Sequence, residues 1–332
     1  MQPVLGRVPS FLNAADGGGD GQRASLCYVI TGSASGLGLA TARLLAHEGY
    51  TVVGCDRDGA SLDSISDELG SHFKPLLCDI TDPQSMRTAA ATLTHMQPDG
   101  IDAILHFAGM HSGGPLMELA EHEFAAVVDV NLTGVWRTQK TFFPLLKARR
   151  GRTIIVSSEV AHARFSHAFS GAYSLSKIAL DNMAVTLRQE LALLEPRMDV
   201  VVLHLGQFTT PLLTRAAGAY STFLERKPDS DFAPAMEWTA GLVSWYTRTG
   251  QSASTVTSPE IVARKVLAVL SARKPRKIYS VGVSPLMRIV AWIPSAVLDS
   301  VIISKLRATI RGNGGGAFEL VAALCTAMLG IL

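Results

Sequence analysis

From Leu26 to about Leu205, short apolar runs rich in β-branched residues alternate with amphipathic helical stretches. Strands that alternate with helices form parallel sheets covered on both faces, and their carboxyl ends share one edge, where such folds bind ligands. The pattern predicts an α/β chain with a doubly wound, seven-stranded parallel sheet. Its predicted strands are Leu26–Thr31, Thr51–Cys55, Phe73–Cys78, Ala103–Phe107, Thr153–Val156, Asp199–His204 and Lys277–Val281.

The alternation also predicts how the chain is divided. Residues 26–282 are expected to form a single domain, preceded by a flexible extension over residues 1–25 and followed by an apolar tail over residues 283–332. Within the domain, residues 210–258 break the alternation and carry several aromatic side chains. Because this insertion follows the carboxyl edge of a strand, it is expected to act as a substrate lid. Its aromatic side chains either line an apolar pocket or pack the insertion against the body.

Charge and cysteine content exclude several classes of protein. The chain has 30 basic and 28 acidic side chains, a formal charge of +2, and no long run of one sign. Nucleic acid is therefore not an expected partner. Its four cysteines lack the C-x-x-C spacing of zinc sites, so we expect reduced thiols, no disulfide framework and no metal. These residues are Cys27, Cys55, Cys78 and Cys325.

The segment "TGSASGLG" joins the first predicted strand to the next helix and contains Gly32, Gly36 and Gly38. Glycine allows a tight turn, and it allows backbone N–H groups to approach an anion at the N-terminus of a helix. A pyrophosphate fits that position, as in dinucleotide-binding sheets of the Rossmann type. An ordinary glycine-rich turn is the alternative, because the spacing differs from G-x-G-x-x-G.

Two acidic residues follow the second and third predicted strands. Asp56 comes eighteen residues after Gly38, where a carboxylate can bind the adenosine ribose hydroxyls and repel the 2′-phosphate of NADP. This position favours NAD, although Arg57 can stack on adenine or hold a 2′-phosphate. Asp79 can meet the adenine amino group. It can also cap a helix, a role that Thr81 or Asp82 would fill more naturally.

The segment "AYSLSK" places Tyr173 and Lys177 four residues apart, on one face of a helix. Such a pair occurs often by chance. Here it follows a strand that ends in Ser157 and Ser158, and Asn131 lies in the preceding predicted helix, in "VNLTG". Ser158 is the expected catalytic serine, with Ser157 as the alternative.

Together these motifs resemble the classical short-chain dehydrogenase/reductase family over about residues 26–281. The resemblance rests on "TGSASGLG", Asp56, "CDI", "HFAG", "VNLTG", "VSS" and "YSLSK". A weaker resemblance to the retinol and hydroxysteroid dehydrogenase branch lies in residues 273–302. The family resemblance implies the catalytic residues Asn131, Ser158, Tyr173 and Lys177. It implies cofactor binding by Gly32, Ser35, Gly36, Leu37, Gly38, Asp56, Arg57, Asp79, Ile80, Ala108, Gly109, Tyr173, Lys177, Gly206 and Thr210.

The sequence departs from the family pattern at three places. His106 stands where the fourth-strand motif usually has Asn, which is expected to alter a hydrogen bond between strands. The gap from Ser158 to Tyr173 is fifteen residues, two more than the commonest spacing. Leu205–Gly206 replaces the usual Pro-Gly pair, while Thr210 matches the threonine that meets the nicotinamide amide.

The resemblance implies that Tyr173 exchanges the alcohol proton and that Ser158 binds the substrate oxygen. Lys177 would bind the nicotinamide ribose, and Asn131 would hold a water in a proton relay. A charge about 5 Å away contributes roughly 3 kcal/mol at an effective dielectric constant of 20. We therefore expect Lys177 to lower the pKa of Tyr173 by about two units.

The function expected from these residues is an NAD-dependent oxidoreductase acting on a bulky apolar alcohol or ketone, such as a steroid or retinoid. The same chemistry on a small polar hydroxy acid or sugar, and a non-catalytic nucleotide-sensing module, are the alternatives. The resemblance implies a homodimer or homotetramer formed through helices near 123–149 and 172–194. An intracellular location is expected, with peripheral membrane contact through residues 286–332, where apolar and basic residues mix.

Overall fold

The computed structural model describes residues 26–162, 168–194, 197–206, 208, 210–241, 258–283, 293 and 295–311. Its centre is a seven-stranded sheet in the order β3-β2-β1-β4-β5-β6-β7, in which every neighbouring pair is parallel. The predicted doubly wound sheet is confirmed. The strands are β1 (Cys27–Thr31), β2 (Thr51–Asp56), β3 (Phe73–Leu77), β4 (Ala103–His106), β5 (Arg152–Ser158), β6 (Val200–Leu205) and β7 (Ile278–Val281).

Helices connect the strands and cover both faces of the sheet. Those before β5 are α1 (Gly36–His47), α2 (Gly59–Leu69), α3 (Pro83–Met96), α4 (Glu121–Val128) and α5 (Gly134–Arg149). Those after it are α6 (Glu159–His162, a single turn), α7 (Gly171–Leu191), α8 (Pro211–Arg226), α9 (Pro259–Ser271) and α10 (Ser295–Ile310). Residues 233–241 are also helical.

The central strands are apolar on both faces because each face carries its own core. Along β1, Tyr28 and Ile30 pack with Leu45 of α1 and Val262 of α9. The intervening Val29 packs into a second core that includes Met86, Phe142 and Leu180, from α3, α5 and α7. Burial on both faces is what makes parallel strands continuous apolar runs.

Strand boundaries agree with the sequence prediction to within two residues, and the largest difference concerns the site. β5 extends to Ser158, two residues beyond the predicted end at Val156. Ser157 and Ser158 pair in register with His204 and Leu205 of β6. Both serines therefore lie on the sheet itself rather than in the following loop.

The predicted helix near residues 123–149 is not a regular α-helix along its whole length. A π-helical segment, Asp129–Thr133, separates α4 from α5. The extra residue in a π turn changes the direction in which side chains point, and such turns occur frequently at functional sites. Asn131, at the centre of this segment, is fully buried.

The described cysteines are buried, and part of the C-terminal segment is helical. Cys27, Cys55 and Cys78 are free and buried, as predicted, while Cys325 lies outside the described residues. Of the predicted tail, the structure describes residues 283, 293 and 295–311, which include α10. In the described part of the chain, no helix is both long enough and apolar enough to span a bilayer.

His106, at the end of β4, bonds to a helix rather than to a neighbouring strand. Its Nε2 lies 3.2 Å from Gln139 Oε1 of α5, and that oxygen also accepts a hydrogen bond from Thr153 Oγ1 of β5 at 3.1 Å. The side-chain oxygen of Gln139 therefore joins β4 and β5 to α5. Burial lowers the pKa of His106 from 6.5 to about 4, so the ring is neutral at physiological pH.

This buried histidine should make folding stability depend on acid. Between pH 6.5 and 4 the unfolded chain binds a proton that folded His106 excludes, so the free energy of unfolding falls as pH drops through that window. At about 1.4 kcal/mol per pH unit, the loss is on the order of 3 kcal/mol. His106→Asn should reduce the dependence of the free energy of unfolding on pH, measured by urea unfolding between pH 4 and 6.5. The exposed control His122→Asn should leave that dependence unchanged. Equal slopes for the wild type and His106→Asn would contradict the prediction.

Candidate active site

Two glycines of the first loop, Gly32 and Gly38, occupy positions where no side chain fits. Gly32 has a φ of +69°, and a Cβ built on it would lie 2.7 Å from the backbone nitrogen of Ala108. A Cβ on Gly38 would lie 2.1 Å from the carbonyl oxygen of Gly32. The loop therefore folds tightly against itself and against the segment after β4. Sequence spacing predicted the turn, and the structure gives the steric reason for it.

The first turn of α1 offers its backbone N–H groups to a ligand. α1 begins at Gly36, which has a φ of +55°, and its N-cap residue Ser35 makes no side-chain capping hydrogen bond. The N-terminal N–H groups of a helix have no partner within the helix and carry partial positive charge. Together with the glycine-lined turn, this is a cradle of the kind that binds pyrophosphate.

Asp56 lies at the end of β2, directly beside the glycine-rich loop. Its Oδ2 accepts a hydrogen bond from the backbone N–H of Ala34 at 3.0 Å, and its Oδ1 accepts one from Asp58 at 3.2 Å. The carboxylate therefore has a fixed position at the edge of the cradle. The neighbouring Arg57 is exposed.

Asp79 and Ile80 lie beyond β3 on the same edge. Asp79 Oδ1 accepts hydrogen bonds from the backbone and hydroxyl of Thr81, at 2.8 and 2.7 Å. Asp82, not Asp79, caps α3 by accepting from Gln84 and Ser85. The capping alternative for Asp79 is thereby excluded. Ile80 is buried.

The segment after β4 brings a second glycine next to the buried polar residues. Ala108 donates its N–H to Thr31 Oγ1 at 3.3 Å, which fixes this segment to the end of β1. A Cβ built on Gly109 would lie 3.5 Å from Asn131 Oδ1 and 3.8 Å from Lys177 Nζ. Gly109, Asn131 and Lys177 therefore converge, as the sequence predicted.

Asn131 is held entirely by the protein. Its amide nitrogen donates to the carbonyl of Met110 and to Ser176 Oγ, both at 2.9 Å, and its Oδ1 accepts from the N–H of Met110 at 2.8 Å. Both amide hydrogens are thus used inside the fold. A relay water would therefore have only the second lone pair of Oδ1 available on this side chain.

Ser157 and Ser158 differ in what they contact. Ser157 Oγ donates to the carbonyl of Lys177 at 3.3 Å, so it faces the backbone of α7. Ser158 forms a side-chain hydrogen bond with Tyr173. The structure therefore pairs Ser158, rather than Ser157, with the phenol.

Burial dominates the electrostatics of Tyr173 and Lys177. Burial raises the pKa of Tyr173, opposed by the hydrogen bond from Ser158. Burial also lowers the pKa of Lys177 to about 8, against the charge of Asp181. Lys177 Nζ lies 5.7 Å from the centre of the Tyr173 ring and donates to the carbonyl of Val156 at 3.0 Å. The expectation that the pKa of Tyr173 is lowered is therefore wrong: burial of the phenol raises it.

The segment after β6 closes the site next to the glycine-rich loop. A Cβ on Gly206 would lie 1.9 Å from the carbonyl oxygen of Gly282, so glycine is required beside β7. Thr210 lies against the loop, with its Cβ 3.5 Å from the position of a Cβ on Gly36. Thr210 thus reaches the cradle although Leu205 replaces the usual proline.

Sequence reasoning missed one group at this site. His111 packs against Tyr173, and the hydroxyl of Ser170 links it to Tyr220. The sequence placed Tyr220 in the insertion but gave no role to His111, two residues after Gly109. Two further histidines follow β5 in the sequence: His162 ends α6, and His167 lies outside the described residues.

The geometry agrees with comparisons to known proteins. The short-chain dehydrogenase family model matches residues 27–219. The chain is 34% identical to a serine 3-dehydrogenase of Rhizobium radiobacter over 49% of its length and 65% of the relative's length. It is 27% identical to human retinol dehydrogenase 5, over 83% of this chain and 86% of that protein.

A solved structure shares the fold. It is a short-chain dehydrogenase/reductase from Burkholderia phymatum in complex with NAD, with a TM-score of 0.67 and 20% identity. The alignment covers 83% of this chain and 94% of that one. From its sequence match, its sheet and the arrangement of its glycine-rich loop, the chain belongs to the short-chain dehydrogenase family.

Proposed function

We propose that the chain is an oxidoreductase that transfers hydride between NAD(H) and an alcohol or carbonyl group of a bulky apolar substrate. The observation that carries this proposal is the convergence of Asn131, Ser158, Tyr173 and Lys177 beside the glycine-rich loop. A module that only senses nucleotide has no need of the Ser158–Tyr173 pair. Family membership supports the same reading.

The cradle fits a nicotinamide dinucleotide because it combines close backbone approach, N–H groups and a fixed carboxylate. The loop from Gly32 to Gly38, with Ser35 and Leu37, would hold the pyrophosphate. Asp56 would bind the adenosine ribose, with Arg57, Asp79 and Ile80 around the adenine. Lys177 would bind the nicotinamide ribose, beside Ala108, Gly109, Tyr173, Gly206 and Thr210. When bound, the nicotinamide supplies the acceptor or donor of hydride.

Tyr173 is the proposed acid–base group, and Ser158 is the proposed donor to the substrate oxygen. In oxidation, the phenolate of Tyr173 takes the proton of the substrate hydroxyl. The carbon that bears this hydroxyl gives its hydride to the oxidised cofactor and becomes a carbonyl carbon. In reduction, Tyr173 returns the proton to the oxygen as hydride arrives at the carbon. Lys177 supplies a positive charge near the phenol in both directions.

The raised pKa of Tyr173 affects carbonyl reduction and alcohol oxidation differently. The phenol remains protonated at neutral pH because burial raises its pKa, and this is the state that carbonyl reduction requires. Oxidation requires the phenolate. The positive charge of an oxidised nicotinamide would favour that phenolate, adding to the charge of Lys177.

Apolar surface is exposed at Leu116 and Met117, in the segment after β4, and supports an apolar substrate. In the lid insertion, Tyr220, Phe223 and Met236 are buried and form a cluster against which Phe169 packs, so these three side chains pack the insertion against the body. The match to retinol dehydrogenase 5 over most of this chain supports the same substrate class. Similarity to a serine dehydrogenase favours instead the small hydroxy acid alternative.

NAD is the proposed cofactor in preference to NADP. The Asp56 carboxylate is fixed by Ala34 and Asp58 at the edge of the glycine-lined cradle, where the adenosine ribose would bind. A phosphate there would meet a negative charge at close range. One relative favours the alternative: an NADPH-dependent pterin aldehyde reductase of Arabidopsis thaliana is 32% identical over 62% of this chain.

Assembly as a homodimer or homotetramer through α5 and α7 is also proposed. Both helices expose large apolar side chains, namely Trp136 on α5 and Leu175, Ile178 and Val185 on α7. Exposed apolar patches of this kind mark interaction surfaces.

Peripheral membrane contact is proposed for the C-terminal segment. On α10, Ile303 is exposed near Arg307 and Arg311, and these three residues line one cavity. An exposed apolar residue beside basic residues suits the interface of an anionic bilayer. Packing of the segment on the protein is the alternative, and buried Leu298 on the same helix favours it.

Tyr173→Phe should retain the fold and bind NAD but lower kcat by about 10²-fold or more, because it removes only the proton-exchanging hydroxyl. Turnover of retinol, a steroid alcohol and a small hydroxy acid is measured with NAD and NADP. Tyr279→Phe, which removes a phenol bonded to the backbone of Arg276, is the matched control. Activity of Tyr173→Phe within a few-fold of the wild type would refute the assignment.

Asp56→Asn should raise the ratio of NADP to NAD use by about tenfold or more, because the amide removes the charge that repels the 2′-phosphate. The amide oxygen can still accept the bond from Ala34. Asp56→Ala should shift the ratio in the same direction, with weaker binding of both cofactors. kcat/KM for each cofactor measures the effect. A wild-type preference for NADP would instead assign the choice to Arg57.

The full chain should co-sediment with anionic lipid vesicles more than a chain that ends at Val283, because the removed residues mix apolar and basic side chains. Raising the salt concentration should release part of the bound protein. Circular dichroism checks that both chains are folded. Equal recovery of both chains in the supernatant would rule out membrane contact through this segment.

A further inference from the structure

Three polar side chains form a connected group beside Tyr173. They come from three parts of the chain: His111 from the segment after β4, Ser170 from the residue before α7, and Tyr220 from α8. We propose that His111 is a positioning residue for the Tyr173 ring, held in place by Ser170 and Tyr220. This inference rests on the proposed function, in which Tyr173 exchanges the substrate proton.

Hydrogen bonds link His111, Ser170 and Tyr220 in a continuous series. His111 Nε2 lies 3.2 Å from Ser170 Oγ, and that hydroxyl lies 2.6 Å from the hydroxyl of Tyr220. The imidazole and the Tyr173 ring have centroids 5.0 Å apart and an interplanar angle of 47°. His111 therefore contacts the reactive ring with one surface and is hydrogen-bonded through its far nitrogen.

Burial makes these hydrogen bonds effective restraints. Ser170 and Tyr220 are 6% and 4% exposed, so water does not compete freely for their hydroxyls. The histidine ring also makes an edge contact with Tyr220, at 6.4 Å between centroids. Rotation of His111 would break a shielded bond and two ring contacts together.

The backbone around the group leaves little room for adjustment. A Cβ on Gly113 would lie 3.2 Å from the Tyr220 ring, and a Cβ on Gly114 would lie 2.9 Å from Phe223. The segment after His111 therefore lies directly against α8. Backbone contact of this kind transmits a displacement of α8 to His111.

Ser170 is placed by a strained residue. Phe169 has a φ of +66°, in the left-handed region that a residue with a side chain rarely adopts. Its carbonyl accepts the N–H of Gly114 at 2.9 Å. The strained residue thus ties the start of α7 to the segment that carries His111, and strain of this kind concentrates at functional sites.

This arrangement makes the position of the phenol depend on α8. When α8 is seated, Tyr220 holds Ser170, Ser170 holds His111, and His111 restricts the Tyr173 ring. Displacement of reacting groups by about 1 Å can lower a rate by 10²-fold, so a restraint on the ring affects kcat more than cofactor affinity.

Two substitutions of His111 separate its hydrogen bond from its ring. His111→Gln places an amide near the position of Nε2 and can still bond Ser170, whereas His111→Phe keeps a ring beside Tyr173 and loses the bond. We expect His111→Phe to lower kcat about tenfold with KM for NAD unchanged, because its ring stays beside Tyr173 but is no longer held by Ser170. His111→Gln keeps the bond but loses the ring contact with Tyr173, so it should also lower kcat. A role in packing alone would slow only His111→Gln and leave His111→Phe near the wild type.

A double-mutant cycle tests whether the three side chains act together. Tyr220→Phe removes only the hydroxyl and should lower kcat as His111→Phe does, while Tyr279→Phe should have no effect. The double variant should be no slower than His111→Phe alone, because both changes break the same chain of bonds. Fully additive losses, or a His111→Phe enzyme as fast as the wild type, would overturn the inference.

Hydrogen exchange gives a readout that does not depend on turnover. In the full chain, amides of α8 should exchange about five-fold faster in His111→Phe and Tyr220→Phe than in the wild type or Tyr279→Phe, as expected for one lost hydrogen bond. kcat is measured with NAD and retinol. Absence of wild-type turnover with every alcohol tested would refute the proposed function, and unchanged exchange would separately refute the linkage to α8.

Discussion

The close approach of backbones between β1 and β4 is the constraint on which the site depends. β1 lies between β2 and β4, so the chain reverses its direction of winding there and leaves a crevice at the carboxyl ends. Gly32 allows the loop after β1 to lie against Ala108, and Gly38 allows α1 to start against the same turn. A side chain at either glycine would separate the two strand ends and widen the crevice that holds the dinucleotide.

Burial gives the site its chemical character and also explains how the protein tolerates polar groups there. Lys177 gives its ammonium a backbone acceptor at Val156, and Asn131 satisfies both amide hydrogens within the protein. These bonds offset part of the desolvation cost and fix the side chains at the same time. Burial also lowers the pKa of Lys177 to about 8, so this side chain holds its proton less tightly than an exposed lysine.

The sequence predicted the sheet and the convergence of the main site residues because both follow from local patterns. Strands and helices have distinct apolar periods, and a parallel sheet brings strand ends such as Asp56 and Ser158 to one edge. It predicted the wrong direction for the shift in the Tyr173 pKa, because that shift depends on how deeply the phenol is buried. It also missed His111 and Ser170, which are 59 residues apart and meet only through folding.

α8 is joined to the residue before α7 by side chains that are distant in sequence. α8 follows β6, while α7 precedes it, so no short segment of chain joins Tyr220 to Tyr173. The connection is made by the side chains of His111, Ser170 and Tyr220. The hydrogen bond from Gly114 to the carbonyl of Phe169 holds the two segments that carry His111 and Ser170 together. Backbone strain at Phe169 thus lies where α8 meets the segment beside Tyr173, so a displacement of α8 would also disturb the contact between His111 and Tyr173.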